Sequence, residues 1–248
     1  MKNSIITYRS PKDPISEAFR NMRTNITFAN IDEDMRVLTV TSPGQSEGKT
    51  TIITNYAVAL AQTGKQVLLM DGDLRRPRLH RMFGLHNNKG LTNVLLRESQ
   101  LNDVIQKTEI ENLHLVSSGP IPPNPSEIMA SRSMALTINT LKSAYDFVLI
   151  DAPPLGVVTD AAVLSKVTDG YIVVAALSVT NRDNLRMVME NLKNVGGNII
   201  GVVANNTPQT KRSGYYYYYY DYSYDQQSKR PESKEEIKQK KKMKKQHH

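Results

Sequence analysis

Apolar residues in this chain follow two rhythms, and their alternation predicts its architecture. Short continuous runs recur at Val37-Leu38-Thr39-Val40-Thr41, Val67-Leu68-Leu69-Met70, Leu113-His114-Leu115-Val116 and Phe147-Val148-Leu149-Ile150, and again over 171–176 and 199–204. Such runs, bounded by polar turns, read as strands buried on both faces. Between them apolar positions recur at helical spacing. That spacing predicts a helix over 12–30, where Ala18, Met22, Ile26 and Ala29 recur and Pro14 suits an early turn. It predicts others over 50–63, closed by Gly64, over 159–166 and over 182–195. The less regular stretch 74–112 is expected to hold short helices over 91–96 and 101–107. Prolines stiffen the loop 119–125, after which Asn124 as cap and Pro125 in the first turn predict a helix running to about residue 144. Strands alternating with helices give an α/β fold, a mostly parallel sheet with helices on both faces. Ligands in such folds bind beyond the carboxyl ends of the strands.

Past Thr207 both rhythms stop. Residues 207–248 are mostly Tyr, Asp, Ser, Gln, Lys and Glu, which offer little apolar surface to offset the entropy of ordering. The expectation is one folded domain over 1–206 and a disordered C-terminal tail over 207–248. The tail holds eleven Lys/Arg and five Asp/Glu, a net +6 of the chain's +8, so the body carries only +2. Basic character confined to a tail argues against a nucleic-acid interface on the folded body. It fits contact with an anionic membrane or an acidic partner, and equally a solvated, solubilising segment. With no cysteine, disulfides and thiolate metal sites are excluded, in keeping with a reducing cytoplasm. The first residues lack the apolar stretch of a signal peptide, and no apolar run approaches the roughly 20 residues that span a bilayer.

The chemistry gathers at predicted strand ends. Glu47-Gly48-Lys49-Thr50-Thr51 lies between the strand at 37–41 and the helix at 50–63. Glycine lets backbone N–H groups approach phosphate, Lys49 reaches the β- and γ-phosphates, and the Thr50 hydroxyl binds Mg²⁺. This is a variant of G-x-x-x-x-G-K-[ST], with Pro43 in the first position and Gly44 and Ser42 nearby. Gly44, Ser46, Glu47, Gly48, Lys49, Thr50 and Thr51 are therefore candidate nucleotide contacts, with Asn205, at another strand end, a candidate for the adenine edge. Asp71 and Asp73 follow the second strand, and Asp151 ends the strand at 147–150. A hard cation such as Mg²⁺ takes one or two carboxylates together with phosphate and water. Thr50, Asp73 and Asp151 are candidates for its shell, leaving Asp71 to orient or deprotonate an attacking hydroxyl. Arg75, Arg76, Arg78 and Arg81 follow, suited to neutralising phosphate, to holding a partner or to plain surface charge. Eight of twelve tyrosines, Tyr215, Tyr216, Tyr217, Tyr218, Tyr219, Tyr220, Tyr222 and Tyr224, fall in ten residues of the tail.

Together these features resemble the bacterial tyrosine kinases of capsule and exopolysaccharide synthesis, in the stand-alone cytoplasmic form of Gram-positive bacteria. The resemblance spans roughly residues 14–224. It is carried by the loop at 42–51, the hydrophobic-Asp-x-Asp-x-Arg segment at 67–75, the segment at 147–154, the stretch 119–127 and the tyrosine cluster. Where relatives often have Pro-Gly, this chain has Gln45-Ser46. The resemblance implies a P-loop NTPase fold, ATP and Mg²⁺, and catalytic roles for Lys49, Asp71 and Asp73. It also implies autophosphorylation of the tyrosine cluster between subunits. It makes Glu17, Arg20 and Arg23 subunit contacts in a ring-like homo-oligomer. A membrane-embedded adaptor would recruit the chain to the inner face of the plasma membrane, and a cognate phosphatase would reverse the modification. The alternative is a nucleotide-switch ATPase of the partitioning or division-site type. Such proteins carry an early loop lysine where this chain has Gly44, and they lack a tyrosine-rich tail.

Overall fold

The computed structural model describes residues 5–29, 35–177 and 179–207. Strands β1 (Val37–Thr41), β2 (Val67–Asp71), β3 (Ile105–Lys107), β4 (Leu113–Val116), β5 (Phe147–Asp151), β6 (Gly170–Ala176) and β7 (Ile199–Asn205) form one sheet in the order β3-β4-β2-β5-β1-β6-β7. Every neighbouring pair is parallel except β3 with β4. The expected mostly parallel sheet is thus present, with one antiparallel strand at its edge.

Alternation along each inner strand divides the core in two. Leu38 and Val40 of β1, Val67 and Leu69 of β2, Leu149 of β5 and Ile172 and Val174 of β6 face one layer. There they meet α1 (Ile6–Arg9), α2 (Pro14–Ala29), α3 (Lys49–Ala61) and α4 (Leu79–Phe83). Val37, Leu68, Met70, Val148, Ile150, Tyr171 and Val173 face the other. That layer is built by α5 (Leu91–Leu95), α6 (Pro125–Met129), α7 (Arg132–Ala144), α8 (Asp160–Val163) and α9 (Arg182–Asn194). Residues 52–61 of α3 are all buried, because the sheet lies beneath this helix and α1 and α2 pack over it.

Three expectations need correction. Residues 101–107 are not a helix: a 3-10 turn over Leu101–Asp103 leads into β3. Leu101, Val104 and Ile105 mimic helical spacing, but β3 pairs Ile105 with Val116 and Lys107 with His114. The helix expected up to residue 144 is two helices. Ser131 interrupts it, its hydroxyl accepting the Met134 N–H at 3.2 Å and capping α7. Asn124 precedes α6 but does not cap it by side chain; its amide donates instead to Glu127 at 3.2 Å. The sequence reading also missed α1. This turn is pinned to α3 where the Asn55 side chain accepts the Thr7 N–H at 3.0 Å and the Gln62 side-chain amide donates to the Thr7 carbonyl at 3.1 Å.

Glu17, Arg20 and Arg23 lie along α2. Arg20 pairs with Glu17 at 2.6 Å and also donates to the Pro11 carbonyl at 2.6 Å. Arg23 donates to the Ala59 carbonyl at 2.6 Å. A guanidinium there meets the negative, carboxyl-terminal end of α3, a favourable position for a cation. The tyrosine cluster lies outside the described residues. Among the described residues no helix is long and apolar enough to cross a membrane.

Candidate active site

β1, β5 and β2 are adjacent, so their carboxyl ends bring three segments distant in sequence side by side. After β1 the chain turns through residues 42–48 into α3. The turn requires left-handed backbone at Gly48 (φ +94°) and at Ser46 (φ +61°). Gly48 is further constrained by contact: a Cβ there would lie 2.1 Å from the Asn205 side-chain nitrogen. That amide is not free to withdraw, because it donates to the Glu47 carbonyl at 2.9 Å. Gly48→Ala is therefore expected to strain the loop and break this bond. We expect nucleotide affinity to fall about tenfold or more, with a stability loss of roughly 1–2 kcal/mol, both measurable by calorimetric titration and thermal melting. Unchanged affinity would show that the loop tolerates a Cβ.

Asn205, expected at the adenine edge, thus clamps the phosphate loop in this structure. Glu47 is buried; its Oε1 accepts the Thr180 hydroxyl at 2.8 Å, and Thr180 in turn accepts the Ala176 N–H at 2.8 Å. Nothing in the sequence pointed to Thr180, which lies 133 positions away. Gly44 packs beside this carboxylate, where a Cβ would come within 3.1 Å of Oε1. Ser42 donates to the Gly44 carbonyl at 2.7 Å and closes the loop's first turn. Thr51 is exposed, pointing away from this cluster.

Lys49 and Thr50 open α3, and both meet carboxylates from neighbouring strands. The Lys49 ammonium stands 3.2 Å from Asp73 and 3.7 Å from Asp151. The Thr50 hydroxyl donates to Asp151 Oδ2 at 2.7 Å. Asp71 pairs in register with Asp151 on the adjacent strand. Its Oδ2 accepts the N–H groups of Arg78 and Leu79, each at 2.9 Å. Asp73 Oδ1 accepts the Arg76 N–H at 3.0 Å. Four sequence-selected residues therefore surround Lys49 within one cluster: Thr50, Asp71, Asp73 and Asp151.

The cluster is buried and short of positive charge. Asp71, Asp73 and Asp151 are at most 6% exposed, and these three carboxyl groups face a single ammonium. Burial pushes the Asp71 carboxyl up to about 8; Asp151 adds to the rise, and the Leu79 and Arg78 N–H groups oppose it. Burial likewise raises Asp151, against the pull of Lys49 and the Thr50 hydroxyl. Burial works against the Lys49 ammonium, but Asp151 and Asp73 outweigh it and hold the amine above its usual range. Asp71 Oδ1 and Asp151 Oδ1 are buried without hydrogen-bond partners among the described residues. Orphaned carboxylate oxygens beside a hydroxyl and a phosphate loop are the donor set a hard divalent cation takes. No group of three or more His, Cys, Asp or Glu among the described residues forms an all-protein metal cage.

Arg75 does not face the phosphate loop. It forms a two-pronged pair with Asp160, at 2.7 and 3.2 Å, and reaches Ser126 at 3.1 Å; Ser126 also donates to Asp160. This knot ties the segment after β2 to the starts of α6 and α8. The sequence carried no signal for it beyond an acid near a helix start.

The AAA domain family model matches residues 35–200. The chain is 39% identical to tyrosine-protein kinase YwqD of Bacillus subtilis (strain 168) over 88% of this chain and 92% of that one. It is 33% identical to tyrosine-protein kinase wzc of Salmonella typhi over 88% of this chain but only 31% of that longer relative. Among solved structures, the chimerical protein CapA2B2 superposes with a TM-score of 0.81 at 44% identity, over 84% of this chain and 91% of that chain. The septum site-determining protein MinD of Pyrococcus horikoshii OT3, complexed with Mg-ADP, superposes less closely, with a TM-score of 0.61 at 30% identity over 71% of this chain and 72% of that chain. The sheet order, the phosphate loop and these likenesses agree: the chain belongs to the bacterial tyrosine-protein kinases, enzymes built on a P-loop NTPase fold.

Proposed function

We propose that this kinase uses Mg·ATP to phosphorylate the tyrosines of its own segment 215–224, subunit to subunit, and thereby regulates capsule or exopolysaccharide synthesis and export. The observation that carries this reading is the buried cluster of Lys49, Thr50, Asp71, Asp73 and Asp151 in a chain bearing eight tyrosines within ten residues. The α3 N-terminus and the loop N–H groups favour the polyphosphate, and Lys49 grips its β- and γ-groups. Thr50, Asp73 and Asp151 would hold Mg²⁺, whose charge would offset the clustered carboxylates and the charge developing on the transferred group. Tyrosine's phenolic oxygen forms the new bond to the γ-phosphorus as the bond to the β–γ bridging oxygen breaks and ADP departs. Asp71, whose ionised form the cation's charge would favour, accepts the phenolic proton through Oδ1.

In this reading a membrane-embedded adaptor recruits and activates the enzyme. It would bring the enzyme to the inner face of the membrane, where a tyrosine phosphatase would oppose it. Glu17, Arg20 and Arg23 would exchange their present intrachain partners for a neighbouring subunit.

The test is incubation of the full chain with Mg·ATP and the adaptor's cytoplasmic fragment, followed by mass mapping. Phosphate on 215–224 is the expected result. Steady ATP hydrolysis with those tyrosines unmodified would instead establish the nucleotide-switch alternative.

A further inference from the structure

We infer that a second site, beside the catalytic cluster, binds a phosphotyrosine already formed on the 215–224 segment of another copy of this chain and so positions the next tyrosine for transfer. This rests on the autophosphorylation reading above. The site is a cavity of about 470 Å³ over the carboxyl ends of β2 and β4. Arg75, Arg76, Arg78, Arg81 and His80 line it, and no carboxylate does.

Two of the four arginines are held in place, Arg75 by Asp160 and Arg76 by the Gln45 side chain at 2.7 Å. Arg78 and Arg81 have no side-chain hydrogen bond or ion pair among the described residues, and the buried Nδ1 of His80 has no partner there either. Four guanidinium groups, of which only Arg75 is paired with an acid among the described residues, suit a doubly charged phosphate, which Arg binds with two parallel hydrogen bonds. Asn87, Gly119, Pro77, Pro120 and Ile121 complete the lining, and Ile121 is 63% exposed. The apolar members suit the ring of an aryl phosphate and give nothing to a bare anion.

Distance along the sheet edge supplies the second argument. The phosphate loop sits on β1, and the cavity lies between β2 and β4, two and a half strands away in the order β4-β2-β5-β1. At about 4.8 Å per strand that is about 12 Å. An extended segment advances about 3.3 Å per residue, so the ring three or four positions from the reacting tyrosine falls at this distance. The cluster supplies such partners throughout: Tyr215 with Tyr218, Tyr216 with Tyr220, Tyr218 with Tyr222, Tyr220 with Tyr224. The Arg78 N–H that holds Asp71 links the two sites through the backbone.

The experiment uses the full, unphosphorylated chain and fluorescent synthetic peptides of residues 213–225, either unmodified or phosphorylated at Tyr218 alone. Fluorescence anisotropy is read with a non-hydrolysable ATP analogue present. The phosphopeptide is expected to bind at least tenfold more tightly than the unmodified one. Arg78→Gln with Arg81→Gln should erase that preference, and Ile121→Asp, which adds a carboxylate to the rim without touching an arginine, should reduce it. Equal affinity of the two peptides, a preference surviving both variants, or displacement of the phosphopeptide by the analogue would each overturn the inference. Because the peptides are synthetic, binding does not depend on turnover. Unmodified tyrosines in mass mapping would sink the proposed function without altering this readout.

Discussion

Lys49→Met is expected to lower phosphate incorporation into the full chain at least about 10³-fold, close to abolition. The lysine is the only cation among the described residues hydrogen-bonded to the carboxylate cluster, and its side chain is 12% exposed. Little water is available to take over its role. Losing a fixed charge that meets a transferring phosphate in such a site typically removes several kcal/mol of transition-state stabilisation, and about 4 kcal/mol corresponds to 10³ in rate. Methionine keeps the unbranched stem, so the packing of this buried side chain is largely preserved. Lys49→Arg should rescue little, because a planar fork cannot take up the single-point position between Asp73 and Asp151. Single-turnover assays with intact-mass detection would decide it. Retention of more than a tenth of the wild-type rate in Lys49→Met would show that Lys49 is not the residue gripping the phosphate. Melting curves for both variants separate this result from unfolding.

Asp71→Asn is expected to do the opposite to stability while still damaging activity. Its buried carboxyl has an ordinary value of 3.8 and is raised to about 8 in the fold. A group whose folded value is raised stabilises fully below its unfolded value, and that contribution is lost as pH rises through the folded value. Between about pH 4 and pH 8 the wild-type chain therefore loses stability relative to a neutral side chain, at up to about 1.4 kcal/mol per pH unit. The amide keeps an oxygen for the Arg78 and Leu79 N–H groups and removes the repulsion with Asp151. Without nucleotide or Mg²⁺, Asp71→Asn should melt close to wild type near pH 4 and be stabilised by a few kcal/mol at pH 8. Its transfer rate should fall at least about 10²-fold, since the amide takes no proton. A pH-independent difference in melting temperature would mean that Asp71 is not held charged at a cost. Stability gained at the expense of activity is the usual mark of a strained functional group.

The strands were legible because continuous apolar runs of four to six residues admit few other readings once a sheet is buried on both faces. The cluster at the strand ends was legible for a related reason. A parallel sheet places every strand end on one edge, so Lys49, Asp71, Asp73 and Asp151 could be grouped without knowing strand order. What escaped was whatever depends on order or on partners far apart in sequence. β3 hid behind the helix-like spacing of Leu101, Val104 and Ile105, because a three-residue edge strand is specified by its neighbour β4 and not by its own pattern. The break at Ser131 hid behind a continuous amphipathic pattern, since a single hydroxyl capping α7 decides it. Thr180 with Glu47 and Asp160 with Arg75 are pairs of ordinary residues brought together only by the complete fold. Asn205 was noticed for its place at a strand end, but its role as the clamp on Glu47 follows from the loop's close approach to β7.

That clamp marks where the chain can be cut. Asn205 holds the nucleotide loop two residues before Thr207. A protein ending at Thr207 keeps every contact described for the strand-end cluster and sheds all eight tyrosines of residues 215–224. One ending at Val203 would lose the bond to the Glu47 carbonyl and leave Glu47 to Thr180 alone. If the proposed function holds, what performs the reaction ends within a few residues of Thr207, and a tail-free enzyme offered separate acceptor segments becomes a practical way to watch the two halves independently.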